Sequence, residues 1–138
     1  MPHHVVQRTL ALLDGVASPK VAALGLAFKG NVDDTRESPA LEIVALLRAK
    51  GIAVSAHDPY VKSAHIELTN LEDCFRDSDC AVLLTDHADY RYLNPAELGK
   101  LMRRKVLLDC RNHLDAKQWE AAGFLLETIG RKREGVAS

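Results

Sequence analysis

Apolar runs of four to eight residues alternate along the chain with stretches of helical periodicity, and polar or turn-forming residues close each of them. Val5, Val6, Leu10, Leu12 and Leu13 fall mostly on one helical face, and Gly15 with Ser18-Pro19 ends that segment. Val21 to Phe28 is almost continuously apolar, as a strand covered on both faces must be, and Gly25 within it suits a point of close backbone approach. Ser38 can cap the next helix with Pro39 at its first position, Ala40, Ile43, Val44 and Leu47 form its apolar stripe, and Gly51 stops it. Ile52 to His57 predicts a second strand closed by Asp58-Pro59, so residues 21 to 57 have the length of a parallel crossover unit.

The alternation continues. Asn70 to Asp77 predicts a short helix and Cys80 to Leu84 a third strand ending at Thr85-Asp86-His87. Asn94-Pro95 starts a helix through about Met102, and Val106 to Leu108 forms a fourth strand ending at Asp109-Cys110-Arg111-Asn112. Asp115 to Ala122 is helical, Gly123 ends it, and Phe124 to Ile129 gives a fifth strand before the charged tail Arg131 to Glu134. This order predicts a single α/β domain, a doubly wound, Rossmann-like parallel sheet of about five strands with helices on both faces.

Composition narrows the possible partners. The chain of 138 residues is 47% hydrophobic and 27% charged, which suits an ordinary folded core. Its 18 basic and 19 acidic residues leave a formal charge of -1, so neither nucleic acid nor a membrane surface is favoured electrostatically. No apolar run approaches the roughly 20 residues of a membrane span. Cys74, Cys80 and Cys110 lack C-x-x-C spacing, which fits a reducing compartment, and the cytoplasm is expected.

In open α/β sheets ligands bind beyond the carboxyl ends of the strands, and this places Lys29 and Arg36 at such a mouth. Lys29 offers a compact charge and Arg36 a planar fork for phosphate or ribose oxygens; alternatively Lys29 is solvated and Arg36 pairs with Asp33, Asp34 or Glu37. Arg111 follows the fourth strand as Lys29 follows the first, so the two can bracket an anion, unless Arg111 pairs with Asp109 or Asp115. A G-x-G-x-x-G fingerprint is absent, and although Gly25 and Gly30 have P-loop spacing, Asn31-Val32 replaces the lysine and hydroxyl residue. A rival enzymatic arrangement uses Cys110 as nucleophile, His113 as base and Asp109 or Asp115 as orienter. His57, His65 and His87 show no metal-ligand spacing and are expected in turns or at the surface, while Trp119 with Phe124 reads as core packing.

Taken together, Gly25-Leu26-Ala27-Phe28-Lys29, Asp34-x-Arg36-x-Ser38-Pro39, Asp58-Pro59, Asp86-His87, Asp109-x-Arg111-Asn112, Gly123-Phe124 and Ile129-Gly130 resemble the carboxy-terminal domain of the UDP-glucose/GDP-mannose dehydrogenase family. Asn31 to Asp34, Glu37 to Ile43 and Asp86-His87 look most similar to its UDP-N-acetyl-D-mannosamine dehydrogenase branch, with a UDP-glucose 6-dehydrogenase or a UDP-N-acetylgalactosamine enzyme as the alternatives. The resemblance implies residues 1–19 as the end of a central helical region and 20–138 as the UDP-binding domain. It implies an NAD-dependent oxidation of a UDP-sugar to the uronic acid for surface polysaccharide synthesis, by a homo-oligomer with an NAD-binding and a central domain. Phe28, Lys29 and Arg111 would then bind the UDP-sugar, and Arg36 would reach NAD on the other domain. None of the three cysteines has the setting of the family's nucleophile, so this chain alone is expected to be catalytically silent. A stand-alone nucleotide-binding or regulatory module is the competing expectation.

Overall fold

A computed structural model describes residues 2–36, 38–61 and 67–129. Met1, Glu37, His65, Gly130 and the tail Arg131 to Glu134 lie outside the described residues, so their expected roles find no description here. The elements run α1 (Pro2–Leu12), β1 (Lys20–Leu24), α2 (Pro39–Ala49), β2 (Ala53–His57), α3 (Leu71–Phe75), β3 (Cys80–Leu83), a 3-10 turn (Ala88–Tyr92), α4 (Pro95–Gly99), β4 (Val106–Asp109), α5 (Ala116–Ala121) and β5 (Leu125–Thr128).

All five strands are parallel, in the order β2-β1-β3-β4-β5. The chain reverses direction across the sheet between β1 and β3, so a crevice opens there beyond the strand ends. Residues of the central strands divide between two cores with period two. Val21, Ala23, Cys80, Val82, Val106 and Leu108 face α1 and α2, joining Val5, Val6, Ile43, Val44 and Leu47. Ala22, Leu24, Ala81, Leu83 and Leu107 face the other way, with Cys74, Phe75, Tyr90, Leu98 and Trp119. The doubly wound architecture read from the sequence is therefore the observed one, and Trp119 packs edge-on against Phe124 at 4.8 Å.

The length of the first strand needs correction. β1 stops at Leu24 rather than running to Phe28, because Gly25 turns away with φ +96° and the buried Leu26 and Ala27 belong to the loop that follows. A Cβ at Gly25 would collide with Thr85 on the neighbouring strand end, so only glycine allows that approach. The sequence also gave no warning of the 3-10 turn at Ala88–Tyr92, whose Tyr90 is buried in the second core.

Candidate functional site

Helix α2 begins as its residues dictate. Ser38 accepts a hydrogen bond from the Ala40 N–H at 3.2 Å, Pro39 occupies the first turn, and the Ser38 hydroxyl donates to the Leu26 carbonyl at 2.7 Å. The loop between β1 and α2 is thereby tied down at its far end. Its near end rests on Asp58, which follows β2 and is buried: Oδ2 accepts from the N–H groups of Leu26 (2.8 Å) and Ala27 (3.2 Å), and Oδ1 from those of Tyr60 (2.7 Å) and Val61 (2.9 Å). His87 Nε2 adds a fifth contact to Oδ2 at 2.8 Å. Burial alone would raise the Asp58 pKa, but His87 and the surrounding N–H groups outweigh it and hold the carboxyl at about 2.

His87 is 0% exposed, which corrects its expected place at the surface. The Asn31 N–H donates to its Nδ1 at 2.8 Å, which assigns the ring proton to Nε2, where it points to Asp58. Asn31 itself sits at φ +63°, and its Oδ1 accepts from the Ala88 N–H at 2.8 Å. Gly30 lies so close to the β3 loop that a Cβ would come within 2.5 Å of the Asp86 carbonyl oxygen. The glycines Gly25 and Gly30 thus admit Thr85 and Asp86 to close approach with the loop. With their Cα atoms packed on protein, Gly25 and Gly30 do not form a glycine cradle for an NAD pyrophosphate.

Beyond β4, Asp109 does for the next loop what Asp58 does for the first. Its buried carboxylate accepts from the N–H groups of Arg111 (3.0 Å), His113 (2.8 Å) and Leu114 (2.8 Å). This arrangement removes the Cys110 nucleophile from consideration. The Asp109 carboxylate is occupied by backbone, Asp115 caps α5 through Lys117, and His113 Nε2 meets the His87 carbonyl at 2.8 Å rather than the thiol. Burial, with the nearby Asp109 charge, pushes Cys110 up to about 12, where no useful thiolate exists at neutral pH. Cys74 and Cys80 are likewise raised to about 12 by burial.

Between these loops and the start of α2 lies a cleft of about 310 Å³. Ala27, Phe28, Pro39, Ala40, Ile43, Leu84, Cys110 and Arg111 line it together with Val5 from α1. The cleft therefore brings Phe28 and Arg111 together, as residues after β1 and β4. Phe28 is 50% exposed, an uncommon degree of exposure for so large an apolar side chain. Arg111 pairs with neither Asp109 nor Asp115 through its side chain; its guanidinium stands 3.8 Å from Asp86, both groups partly solvated. Lys29 lies beside Phe28, exposed and without a hydrogen bond or ion pair among the described residues, although it is not a lining residue of the cleft. The β1 and β4 loops are separated by one strand, so their roots are about 10 Å apart.

Arg36 stands apart from this cleft. Its guanidinium forks onto Asp34 at 3.1 and 3.0 Å, one of the pairings open to it from sequence, and its side chain is 88% exposed. The fork draws the Asp34 carboxyl down to about 2. His57 is half-buried, with Nδ1 3.0 Å from the Tyr90 hydroxyl, and burial lowers its pKa. Asp58 and His87, the residues that shape the site, were the ones sequence reasoning left without a role; the signal available was their position in the loops that leave the second and third strands.

A model of the UDP-glucose/GDP-mannose dehydrogenase family, UDP binding domain, matches residues 22–116. The UDP-N-acetyl-D-mannosamine dehydrogenase of Methanococcus vannielii is 37% identical over 135 residues, covering 94% of this chain and 32% of that protein. Among solved structures, the UDP-D-ManNAc dehydrogenase of Pyrococcus horikoshii superposes with a TM-score of 0.79 at 33% identity, covering 93% of this chain and 30% of that one. The NDP-N-acetyl-D-galactosaminuronic acid dehydrogenase of Methanosarcina mazei Go1 gives a TM-score of 0.85 at 32% identity, with 95% and 29% covered. The chain thus spans about a third of the length of the relatives it matches.

Proposed function

Because the chain belongs to the UDP-glucose/GDP-mannose dehydrogenase family as its UDP-binding domain, we propose that it binds the nucleotide part of a UDP-sugar for an NAD-dependent 6-dehydrogenase. The observation that carries this reading is the cleft at the β1/β3 reversal, which both Phe28 and Arg111 line, with the neighbouring Lys29 unpaired among the described residues. A nucleoside diphosphate offers a flat, partly apolar base and two anionic groups. Phe28 and the aliphatic lining suit the first, and Lys29 with Arg111 the second.

In this reading the chain supplies binding and positioning. Holding the diphosphate gives remote binding energy that orients the sugar toward a reactive centre carried by another domain. Residues 1–19 are the end of a central helical region and 20–138 the nucleotide-sugar domain, with α1 contributing Val5 to the cleft. NAD supplies hydride acceptance when bound, and it belongs to a domain other than this one; Arg36, which projects into solvent, would contact it by exchanging its Asp34 partner. The complete enzyme is a cytoplasmic homo-oligomer in surface polysaccharide synthesis, and this chain by itself is inactive. No helix among the described residues is long and apolar enough to cross a membrane.

The favoured sugar is N-acetyl-D-mannosamine, supported by the named activities of the Methanococcus and Pyrococcus relatives. The likeness to the Methanosarcina enzyme favours an N-acetylgalactosamine sugar as the second reading, and UDP-glucose is the further alternative. Isothermal calorimetry with UDP tests the site: weak binding is expected, reduced by Lys29→Ala and by Arg111→Ala. No binding at millimolar UDP overturns a preformed site. Turnover of the three UDP-sugars by the full-length parent enzyme assigns the sugar.

A further inference from the structure

His87 carries two hydrogen-bonded nitrogens and a hydrogen-bonded carbonyl, and each leads to a different part of the cleft. Through Nδ1 it holds the Asn31 N–H, two residues after Lys29. Through Nε2 it holds Asp58 Oδ2, the atom that also accepts from Leu26 and Ala27, just before Phe28. Its carbonyl accepts from His113 Nε2, and the His113 N–H shares the Asp109 carboxylate with the Arg111 N–H. Phe28 and Lys29 are therefore suspended between two anchors that meet at one imidazole, and the Arg111 loop is tied to the same residue from the other side.

Packing alone does not call for this residue type. The ring lies 4.7 Å from the Tyr60 ring and 5.6 Å from the Tyr90 ring, an environment that an apolar aromatic would fill. Burying an imidazole against a carboxylate carries a desolvation cost that needs compensating bonds, and here those bonds go to the backbone of the cleft. We propose that His87, seated on Asp58, is a positioning residue that fixes the Lys29 and Arg111 loops relative to one another for a nucleoside diphosphate. The proposal rests on the UDP reading above and goes beyond it, since neither residue touches the cleft.

The test uses this chain, UDP calorimetry and amide hydrogen exchange, with His87→Phe, His87→Gln and Asn31→Gly each alone and combined with Lys29→Ala. His87→Phe keeps an aromatic ring, somewhat larger than imidazole, and removes both nitrogens; it should weaken UDP about tenfold, the scale expected when a binding group shifts by a fraction of its reach. Exchange at Asn31 should accelerate while Val21 to Leu24 stay protected. In that background Lys29→Ala should cost no more than about twofold, against about tenfold in the unaltered chain, because a displaced lysine has little left to lose. His87→Gln, which retains one donor and one acceptor, should recover part of the affinity.

Asn31→Gly covers the case in which His87→Phe does not fold. Glycine accepts the positive φ and the site is exposed, while the bond to Ala88 is lost, so a smaller weakening of UDP with the same loss of additivity is expected. UDP binding unchanged in these variants, or a Lys29→Ala effect that stays full-sized in them, overturns the proposal. Failure of the unaltered chain to bind UDP overturns the nucleotide reading and this proposal with it. Unaltered Asn31 exchange in His87→Phe, with UDP binding intact, overturns this proposal alone.

Discussion

Replacing Asp58 by asparagine probes the anchor of the site with little change in shape. The carboxylate receives five hydrogen-bond donors: four backbone N–H groups and His87 Nε2. An amide group must turn its NH2 toward one set of them, leaving either the Tyr60 and Val61 N–H groups or the Leu26, Ala27 and His87 donors facing another donor. The charge is worth a further amount. The Asp58 pKa falls from 3.8 to about 2, which corresponds to about 2 kcal/mol at neutral pH. With at least two unsatisfied buried donors added, Asp58→Asn should lower stability by about 4 kcal/mol or more.

The pH dependence has a definite sign. A carboxyl depressed in the folded state stabilises it fully above the unfolded pKa, and that stabilisation disappears as pH falls toward the folded value. The gap between the wild type and Asp58→Asn should therefore shrink by about 1 kcal/mol between pH 7 and pH 3. Other depressed carboxyls, such as Asp34 and Glu127, are common to both proteins and cancel. Urea unfolding followed by the fluorescence of Trp119, the single and buried tryptophan, reads both quantities. A gap within about 0.5 kcal/mol at pH 7, or one that does not narrow by pH 3, refutes the assignment of Asp58 as the anchor.

Gly25→Ala should destabilise the fold by about 2 kcal/mol or more in the same assay, because φ +96° and the approach of Thr85 both exclude a Cβ. Native-state alkylation at pH 8 should leave Cys74, Cys80 and Cys110 largely unmodified until urea is added, since burial lifts all three to about 12; rapid labelling of Cys110 would contradict its assigned environment. Arg36→Ala should leave the unfolding midpoint of this chain unchanged, as its ion pair with Asp34 is open to solvent. A clear drop in that midpoint would mean the pair is structural.

Most of the fold was legible because parallel strands covered on both faces need continuous apolar runs, and β1, β3 and β4 have them. The caps Ser38 and Asn94, each followed by proline, marked two helix starts to within a residue. β1 was read too long because Leu26 and Ala27 are as apolar as the strand; their burial comes from a loop whose N–H groups are satisfied by a distant carboxylate. No local pattern announces such a bond, since its partners lie 31 and 32 positions apart. Arg111 was placed from its position after the fourth strand, whereas Phe28 was named only through the family resemblance; both line the one cleft. The inward turn of His87 escaped for the same reason as Asp58: its partners come from other strand ends. Arg36 shows the reverse case, in which a cation placed near the ligand mouth by spacing is engaged by its own neighbour two residues away.

The most direct measurement of the central claim is a backbone amide spectrum of this chain titrated with UDP. Saturable shifts confined to Ala27 to Gly30, Ala40, Cys110 and Arg111, and lost in Arg111→Ala, are the predicted result. Saturable shifts elsewhere, such as around His113 to Trp119 on the far side of the β4 loop, or no shifts at millimolar UDP, would contradict it.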